Sequence, residues 1–237
     1  MHKSLVVLIS LIVLVSCSEK KETKDFVLTG NIKGLKKGTL YIQRIKDTTL
    51  VAIDTINING DSHFKTEFDL KSPEMLYLFL DRGVSNSLDN NICFFAEKGN
   101  MNLETSLDFF TADAKITGSK NQELYDEYRK VVSRYTDQDL ELIQKKFTAF
   151  KANKTEEITK LEEEQKNILK KKYLYTTNFA VNNANYEVAP YVALAEIYDI
   201  NLKYLDTIQK SLSPKVSKSL YGKKLNDFIT KRKRAEK

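Results

Sequence analysis

Ile116-Thr117-Gly118-Ser119-Lys120-Asn121-Gln122 is the stretch at which the hydrophobic pattern of the chain changes. Before Gly118, short segments rich in Val, Ile, Phe, Tyr and Thr alternate with turn residues, as in a series of β-strands. After Ser119, apolar residues recur every three or four positions, which is the period of amphipathic helices. The sequence therefore predicts an α+β protein, with a β domain at 25–118 and a helical domain at 119–237.

Eight segments before Gly118 have the length and composition of strands. They are Phe26–Lys33, Thr39–Ile45, Ala52–Ile58, Ser62–Phe68, Met75–Asp81, Asn91–Glu97, Met101–Thr105 and Ala112–Thr117. Because no helical segments separate them, a parallel sheet is not expected. The pattern favours an antiparallel β-sandwich, and Asn59-Gly60-Asp61 predicts a hairpin turn between the third and fourth strands.

The helical half begins at Ser119, where the spacing of Ser119 and Gln122 predicts a reciprocal capping box. Breaks are predicted at 182–185, which is rich in asparagine, and at Ser213-Pro214. The apolar faces are predicted to include Leu124, Tyr128, Val131, Val132, Tyr135, Leu140, Ile143, Phe147 and Phe150. Ten of the twelve tyrosines lie at or beyond Tyr125 and are expected to pack their rings inward; a ligand-lining surface is the alternative.

The N-terminus has the order of features of an export signal. Lys3 is followed by the apolar run Leu5–Val15, and Leu14-Val15-Ser16-Cys17 resembles the lipobox of bacterial lipoproteins. This implies that Cys17 is the lipid attachment site. The run is too short for a transmembrane helix, which needs about 20 residues. An ordinary secretory signal is the other alternative, but it would favour an Ala-x-Ala cleavage site.

Residues 1–16 are therefore expected to be a lipoprotein signal peptide, and residues 17–24 a polar tether. More than one acyl chain on Cys17 would give stable anchoring. Ser18, in place of aspartate, resembles the sorting signals of outer-membrane lipoproteins. The expected location is the cell envelope, lipid-anchored in the outer membrane of a Gram-negative bacterium, and the side that the body faces is left open.

The positive charge of the chain is concentrated at its C-terminus. The net charge is +6, from 38 lysines and arginines and 32 acidic residues, and the tail 231–237 alone carries five positive charges and one negative. A nucleic-acid-binding protein spreads its basic residues over a face or groove. Nucleic acid is therefore not an expected partner, and the basic tail is interpreted as a solvated helix end.

Residues that carry chemistry are few. With Cys17 lipidated, Cys93 is left without a disulfide partner and is expected to be an inert, buried thiol. The alternative, a reactive thiol, would need an exposed and electropositive setting. His63 is the only histidine after the signal, and the sequence has no Gly-x-Ser-x-Gly or phosphate-binding glycine loop. No catalytic, cofactor-binding or metal-binding residue is predicted, and the protein is not expected to be an enzyme.

Five short motifs in and just after the predicted β domain form a recognisable series. They are Phe26-Val27-Leu28-Thr29-Gly30-Asn31-Ile32, Leu40-Tyr41-Ile42, Ile53-Asp54-Thr55 with Gly60 and Phe64, Phe95-Ala96-Glu97-Lys98-Gly99, and Ile116-Thr117-Gly118-Ser119. In this order they resemble the domain of unknown function 4369. The resemblance covers 25–119, and more loosely the helices. It departs from the family at Asp61-Ser62-His63, which lengthens the turn before Phe64.

In that family, the β domain is commonly followed by a helical segment and then by a thioredoxin-like domain of exported thiol-disulfide oxidoreductases. This chain has no Trp-Cys-x-x-Cys segment on which the redox residues of the family would fall. Two hypotheses follow. The first is a non-catalytic lipoprotein of the cell envelope, a binding or interaction module. The second is the N-terminal portion or accessory subunit of a periplasmic thiol-disulfide oxidoreductase system, for which a thioredoxin-like protein would be the partner.

Overall fold

The computed structural model describes residues 24–83 and 88–236, which form eight β-strands and six α-helices. The strands are β1 (Phe26–Lys33), β2 (Lys37–Lys46), β3 (Thr49–Asn59), β4 (His63–Phe68), β5 (Glu74–Asp81), β6 (Asn91–Ala96), β7 (Gly99–Ser106) and β8 (Lys115–Thr117). The helices are α1 (Lys120–Lys151), α2 (Thr155–Asn182), α3 (Val188–Glu196), α4 (Leu202–Ser211), α5 (Pro214–Ser217) and α6 (Leu220–Ala235). The predicted α+β class is confirmed.

The strands form two four-stranded sheets. The first sheet has the order β4-β1-β7-β8, and the second has the order β3-β2-β5-β6. Apolar side chains from both sheets form one hydrophobic cluster, whose fully buried members include Phe26, Leu28, Leu40, Leu78 and Phe94. This arrangement is the sandwich that the strand pattern predicted.

One strand pair departs from the predicted antiparallel arrangement. β1 and β7 run parallel, with Phe26 opposite Gly99 and Lys33 opposite Ser106. A parallel pair requires a long crossover connection. Here the crossover is the chain from β2 to β6, most of which forms the second sheet. The lack of helices between the strands therefore does not exclude parallel pairing.

The turn at Asn59-Gly60-Asp61 does not close a hairpin, so that prediction is wrong. β3 pairs with β2 and β4 pairs with β1, so the turn carries the chain from one sheet to the other. Gly60 adopts a φ of 98° and donates its N–H to the Lys36 carbonyl at 2.7 Å. The Thr66 hydroxyl of β4 donates a hydrogen bond to the Asp54 carboxylate of β3. The turn residues determine a local conformation, but not which strands pair.

Strands β5 and β6 are covered on both faces. Leu76 and Phe94 belong to the cluster between the sheets, whereas Met75 and Phe95 belong to a second cluster formed with the helices. A strand that is buried on both faces has no polar alternation, which explains the near-continuous apolar sequences of β5 and β6. These two strands are a middle layer between the first sheet and the helices.

Two backbone amides of the middle layer donate to helix side chains. Met75 N–H donates to the Tyr221 hydroxyl at 2.9 Å, and Phe95 N–H donates to Gln122 Oε1 at 2.6 Å. Neither amide has a strand partner, because β6 is the sheet edge and β5 pairs with β2 only from Tyr77 onwards. A buried donor without an acceptor costs about 1–3 kcal/mol. The helices therefore supply acceptors that the second sheet lacks.

The change from strand to helix occurs at the predicted boundary of 118/119. The Ser119 hydroxyl accepts the Gln122 N–H at 3.0 Å, so Ser119 is the N-cap of α1 as predicted. The reciprocal half of the capping box is not formed, because the Gln122 side chain accepts from Phe95 and donates to Asp126. The division into two domains stays a prediction, and the two parts share one hydrophobic cluster.

Helices α1 and α2 form a long antiparallel pair. α1 has 32 residues, which corresponds to a length of about 48 Å. Its first half packs in the cluster shared with the sheet, through residues such as Tyr125 and Tyr128. Its second half packs on α2 through a small cluster of Leu142, Ala149 and Leu161. The part of the α1–α2 pair that lies far from the sheet therefore has a much smaller hydrophobic core than the part that packs against the sheet.

We expect Tyr221→Phe to lower the free energy of unfolding by about 1–3 kcal/mol, because the ring is kept while the acceptor for the Met75 N–H is lost. Urea unfolding measures the change. Tyr198→Phe is the matched control, since Tyr198 is 57% exposed, and it should alter stability by less than about 0.5 kcal/mol. An equally small effect for Tyr221→Phe would show that the Met75 amide does not depend on this hydroxyl.

Candidate functional site

Cys17, the site residue predicted from the sequence, lies outside the described residues, so lipid attachment stays a prediction. The described residues closest to it in the sequence are Lys24 and Asp25. The Asp25 carboxylate pairs with Lys98 at 2.7 Å and accepts the Leu70 N–H at 2.6 Å. The hydrogen bond from Lys98, followed by that from Leu70, lowers the pKa of Asp25. These contacts fix the end of the tether beside the turn between β6 and β7.

A groove of about 630 Å³ lies next to this point. Six lysines line it, and together they define the lysine groove: Lys71, Lys98, Lys215, Lys218, Lys223 and Lys224. Three acidic residues, Glu97, Glu187 and Asp227, also line it, so positive groups outnumber negative ones two to one. Of these six lysines, only Lys98 forms an ion pair with another described residue, Asp25. The six lysines come from three segments that are far apart in the sequence.

Two of these carboxylates are held by a buried asparagine. Asn121 is fully buried, and its Nδ2 donates to Glu97 Oε2 at 3.2 Å and to Glu187 Oε2 at 3.3 Å. Its Oδ1 accepts the Val188 N–H at 2.8 Å. Glu97 also accepts from the Ser119 hydroxyl at 3.0 Å and from the Asn121 N–H at 3.1 Å. Asn121 therefore joins the β6–β7 turn to the start of α3.

Cys93 is half-buried, and not buried as the sequence predicted. The Arg129 guanidinium, on α1, donates to the sulfur at 3.8 Å. The charged residues nearest to Cys93 in the sequence are the acidic Asp89 and Glu97, whereas Arg129 is 36 residues away. An adjacent cation is one condition for a reactive thiol, but a single thiol beside one arginine does not define a catalytic site.

Tyrosines fill the contact between the helices and the middle layer. The Tyr191 ring lies 5.5 Å from that of Phe95, 5.8 Å from Tyr125 and 5.0 Å from Tyr221, measured between centroids, each in an edge-to-face arrangement. Burial raises the pKa of Tyr125 to about 12, and it also raises the pKa values of Tyr191 and Tyr221. Inward packing is confirmed for these rings, which pack in the hydrophobic cluster shared by the helices and the middle layer.

The second half of α1 carries an exposed apolar line, which we call the α1 stripe. It consists of Leu140, Ile143, Phe147 and Phe150, exposed by 58%, 48%, 60% and 71%. Their spacing of three, four and three residues places them along one side of the helix. The sequence grouped them with the packed positions, but α1 packs on α2 through Leu142 and Ala149 instead. Contiguous apolar patches above a few hundred Å² are uncommon on monomers and mark interaction sites.

The remaining chemical groups form no recognisable centre. His63 is exposed, and its Nδ1 lies 2.7 Å from Asp61 Oδ1. Across 24–83 and 88–236, no three His, Cys, Asp or Glu side chains are grouped so that they could hold a metal ion. Over the same residues, no helix combines the length and the apolar composition needed to span a bilayer.

The fold defines a β-sandwich with a helical layer docked on one of its sheets. Residues 26–125 match the sequence model of a family described as a domain of unknown function (DUF4369). Residues 26–125 are thus similar to this family, and the resemblance of the β motifs is confirmed. The match extends past the strands to Tyr125, so it includes Gln122, whose side chain contacts β6. No curated protein and no solved structure matches the chain.

Proposed function

We propose that this protein is a non-catalytic interaction module of the bacterial cell envelope. It is anchored in the outer membrane by lipid on Cys17, and it associates with a second copy of itself through the α1 stripe. The observation that carries the proposal is the exposure of four large apolar side chains at regular helical spacing. The order of Lys3, the apolar run and Cys17 supports the envelope location.

The spacing of the α1 stripe suits a second helix as its partner. Leu140, Ile143, Phe147 and Phe150 follow the three-four alternation of a heptad seam. In an antiparallel pair of α1 helices centred near Lys145, Leu140 of one copy would meet Phe150 of the other, and Ile143 would meet Phe147. Each large ring would then face a smaller aliphatic side chain, which allows interdigitated packing.

Charges beside the stripe favour the same antiparallel pairing. Asp137 lies one turn before Leu140, and Lys151 directly follows Phe150, so an acidic and a basic group flank opposite ends of the stripe. In the antiparallel arrangement, Asp137 of each copy approaches Lys151 of the other. Lys151 lies over the Phe147 ring at 4.3 Å, and neither residue forms an ion pair with another described residue. A parallel pairing would instead place like charges side by side.

The inventory of reactive groups supports a non-catalytic role. After the signal, the chain has one histidine and, besides the anchor residue Cys17, one cysteine. His63 and Cys93 lie on different strands in different sheets. The alternative, a portion or accessory subunit of a thiol-disulfide oxidoreductase system, would use Cys93. A half-buried thiol without a resolving cysteine gives that alternative little support.

Lipid anchoring is tested by Cys17→Ser. We expect the variant to leave the membrane fraction after a high-salt wash, because such a wash screens charge contacts and leaves acyl anchoring intact. Fractionation followed by immunoblotting measures the distribution. Cys93→Ser is the matched control and should stay with the membrane. Equal retention of Cys17→Ser and the unaltered protein would contradict the anchor.

Self-association is tested on the soluble Cys17→Ser form by sedimentation velocity. We expect a concentration-dependent dimer, and we expect Phe147→Lys to weaken it by about tenfold or more, since the charge falls at the centre of the contact. Phe109→Lys is the matched control, because Phe109 is 64% exposed and lies outside the stripe. A monomer at all concentrations, or an equal effect of both variants, would contradict the pairing.

The antiparallel direction has its own test. Asp137→Lys and Lys151→Asp should each weaken the dimer by placing like charges together, and the double variant should recover most of the loss. Simple addition of the two losses would contradict this arrangement, even if the stripe is the contact.

A further inference from the structure

The lining of the lysine groove carries an excess of positive charge, with six lysines and three acidic residues. Of its six lysines, Lys98 pairs with Asp25, and Lys224 lies 5.8 Å from the centre of the Tyr221 ring. The other four form no ion pair within the described part of the chain: Lys71, Lys215, Lys218 and Lys223. Their ammonium groups are therefore available to an external anion.

Two of the three acidic groups of the groove accept hydrogen bonds from residues at the start of α1. Glu97 accepts hydrogen bonds from Ser119 and Asn121, and Glu187 is 3% exposed and accepts from Asn121. Both carboxylates are thus held on the wall beside α1. Asp227 is the exposed acid of the lining. An anion that approaches from solvent meets a rim made mainly of lysine.

The position of the groove relative to the tether indicates which anion it meets. Asp25 pairs with Lys98, which itself lines the groove, and the Leu70 N–H beside Lys71 donates to the Asp25 carboxylate. The eight residue-to-residue steps from Cys17 to Asp25 span at most about 29 Å when the chain is fully extended. A lipid on Cys17 would therefore keep the groove within that distance of the membrane surface.

We propose that the lysine groove binds the phosphate groups of anionic lipids in the membrane that carries the Cys17 anchor. This inference rests on the lipid anchor of the proposed function. The anchor gives the membrane a high local concentration at the groove, and clustered lysines near an anionic surface attract its headgroups. The contact orients the folded body, with the first turn of α1 beside the lipid surface.

The test uses the soluble Cys17→Ser form and measures its co-sedimentation with lipid vesicles. The vesicles consist either of phosphatidylcholine alone or of two parts phosphatidylcholine to one part phosphatidylglycerol. We expect binding to the anionic vesicles only, and we expect Lys218→Ala/Lys223→Ala to weaken it by about tenfold. The matched control is Lys170→Ala/Lys171→Ala, which removes the same charge from exposed positions on α2 and should leave binding within about twofold, because its lysines lie outside the groove.

Three outcomes would overturn the inference. Equal weakening by the two double variants would show that only net charge matters. Loss of binding in Lys231→Ala/Arg234→Ala, with the groove variant unaffected, would assign the lipid contact to the basic tail. Competition by micromolar inorganic phosphate would show that the ligand is free phosphate. None of these results depends on whether Cys17 carries lipid, so failure of the groove and failure of the anchor are distinguishable.

Discussion

The structure depends on how the second sheet buries β5 and β6. Both faces of these strands are apolar, so one face must be covered by the first sheet and the other by helices. The amides of Met75 and Phe95 add a directional requirement, because no neighbouring strand accepts them. Tyr221 and Gln122 supply the acceptors from two different helices. Hydrophobic burial brings the helices to this face, and these two hydrogen bonds determine where α6 and the first turn of α1 sit.

The sequence predicts the features that depend on local chemistry. The strand and helix segments, the N-cap at Ser119 and the inward rings of Tyr125 and Tyr128 follow from periodicity and capping rules. The pairing of strands does not, because Asn59-Gly60 specifies a turn that serves equally between two sheets. Contacts between residues that are distant in the sequence also determine which partner a side chain binds. Gln122 is drawn from its own cap to the edge of β6, which no pattern within α1 indicates.

The surfaces proposed to be functional were harder to predict, for two reasons. The lysines of the groove come from the turn before β5, the turn after β6 and the segment 215–224, so they form no local sequence pattern. The α1 stripe has a clear pattern, but periodicity does not show whether a regular apolar face packs within the chain or stays exposed. Ser119, at the base of α1, contacts the wall of the groove through Glu97, and Leu140 lies about 30 Å further along the helix. In the proposed function, one end of the molecule meets the membrane and the other meets a second copy.

Native-state hydrogen exchange at the Met75 and Phe95 amides tests the docking of the helices most directly. The account predicts that both amides exchange only by global unfolding. Their opening free energy should equal that of the amides of Ile42 and Leu78, whose side chains are buried between the sheets. Such a result would show that sheets and helices unfold together. Rapid exchange of Met75 and Phe95, with Ile42 and Leu78 still protected, would show that the helices leave the sheet independently and would contradict the account.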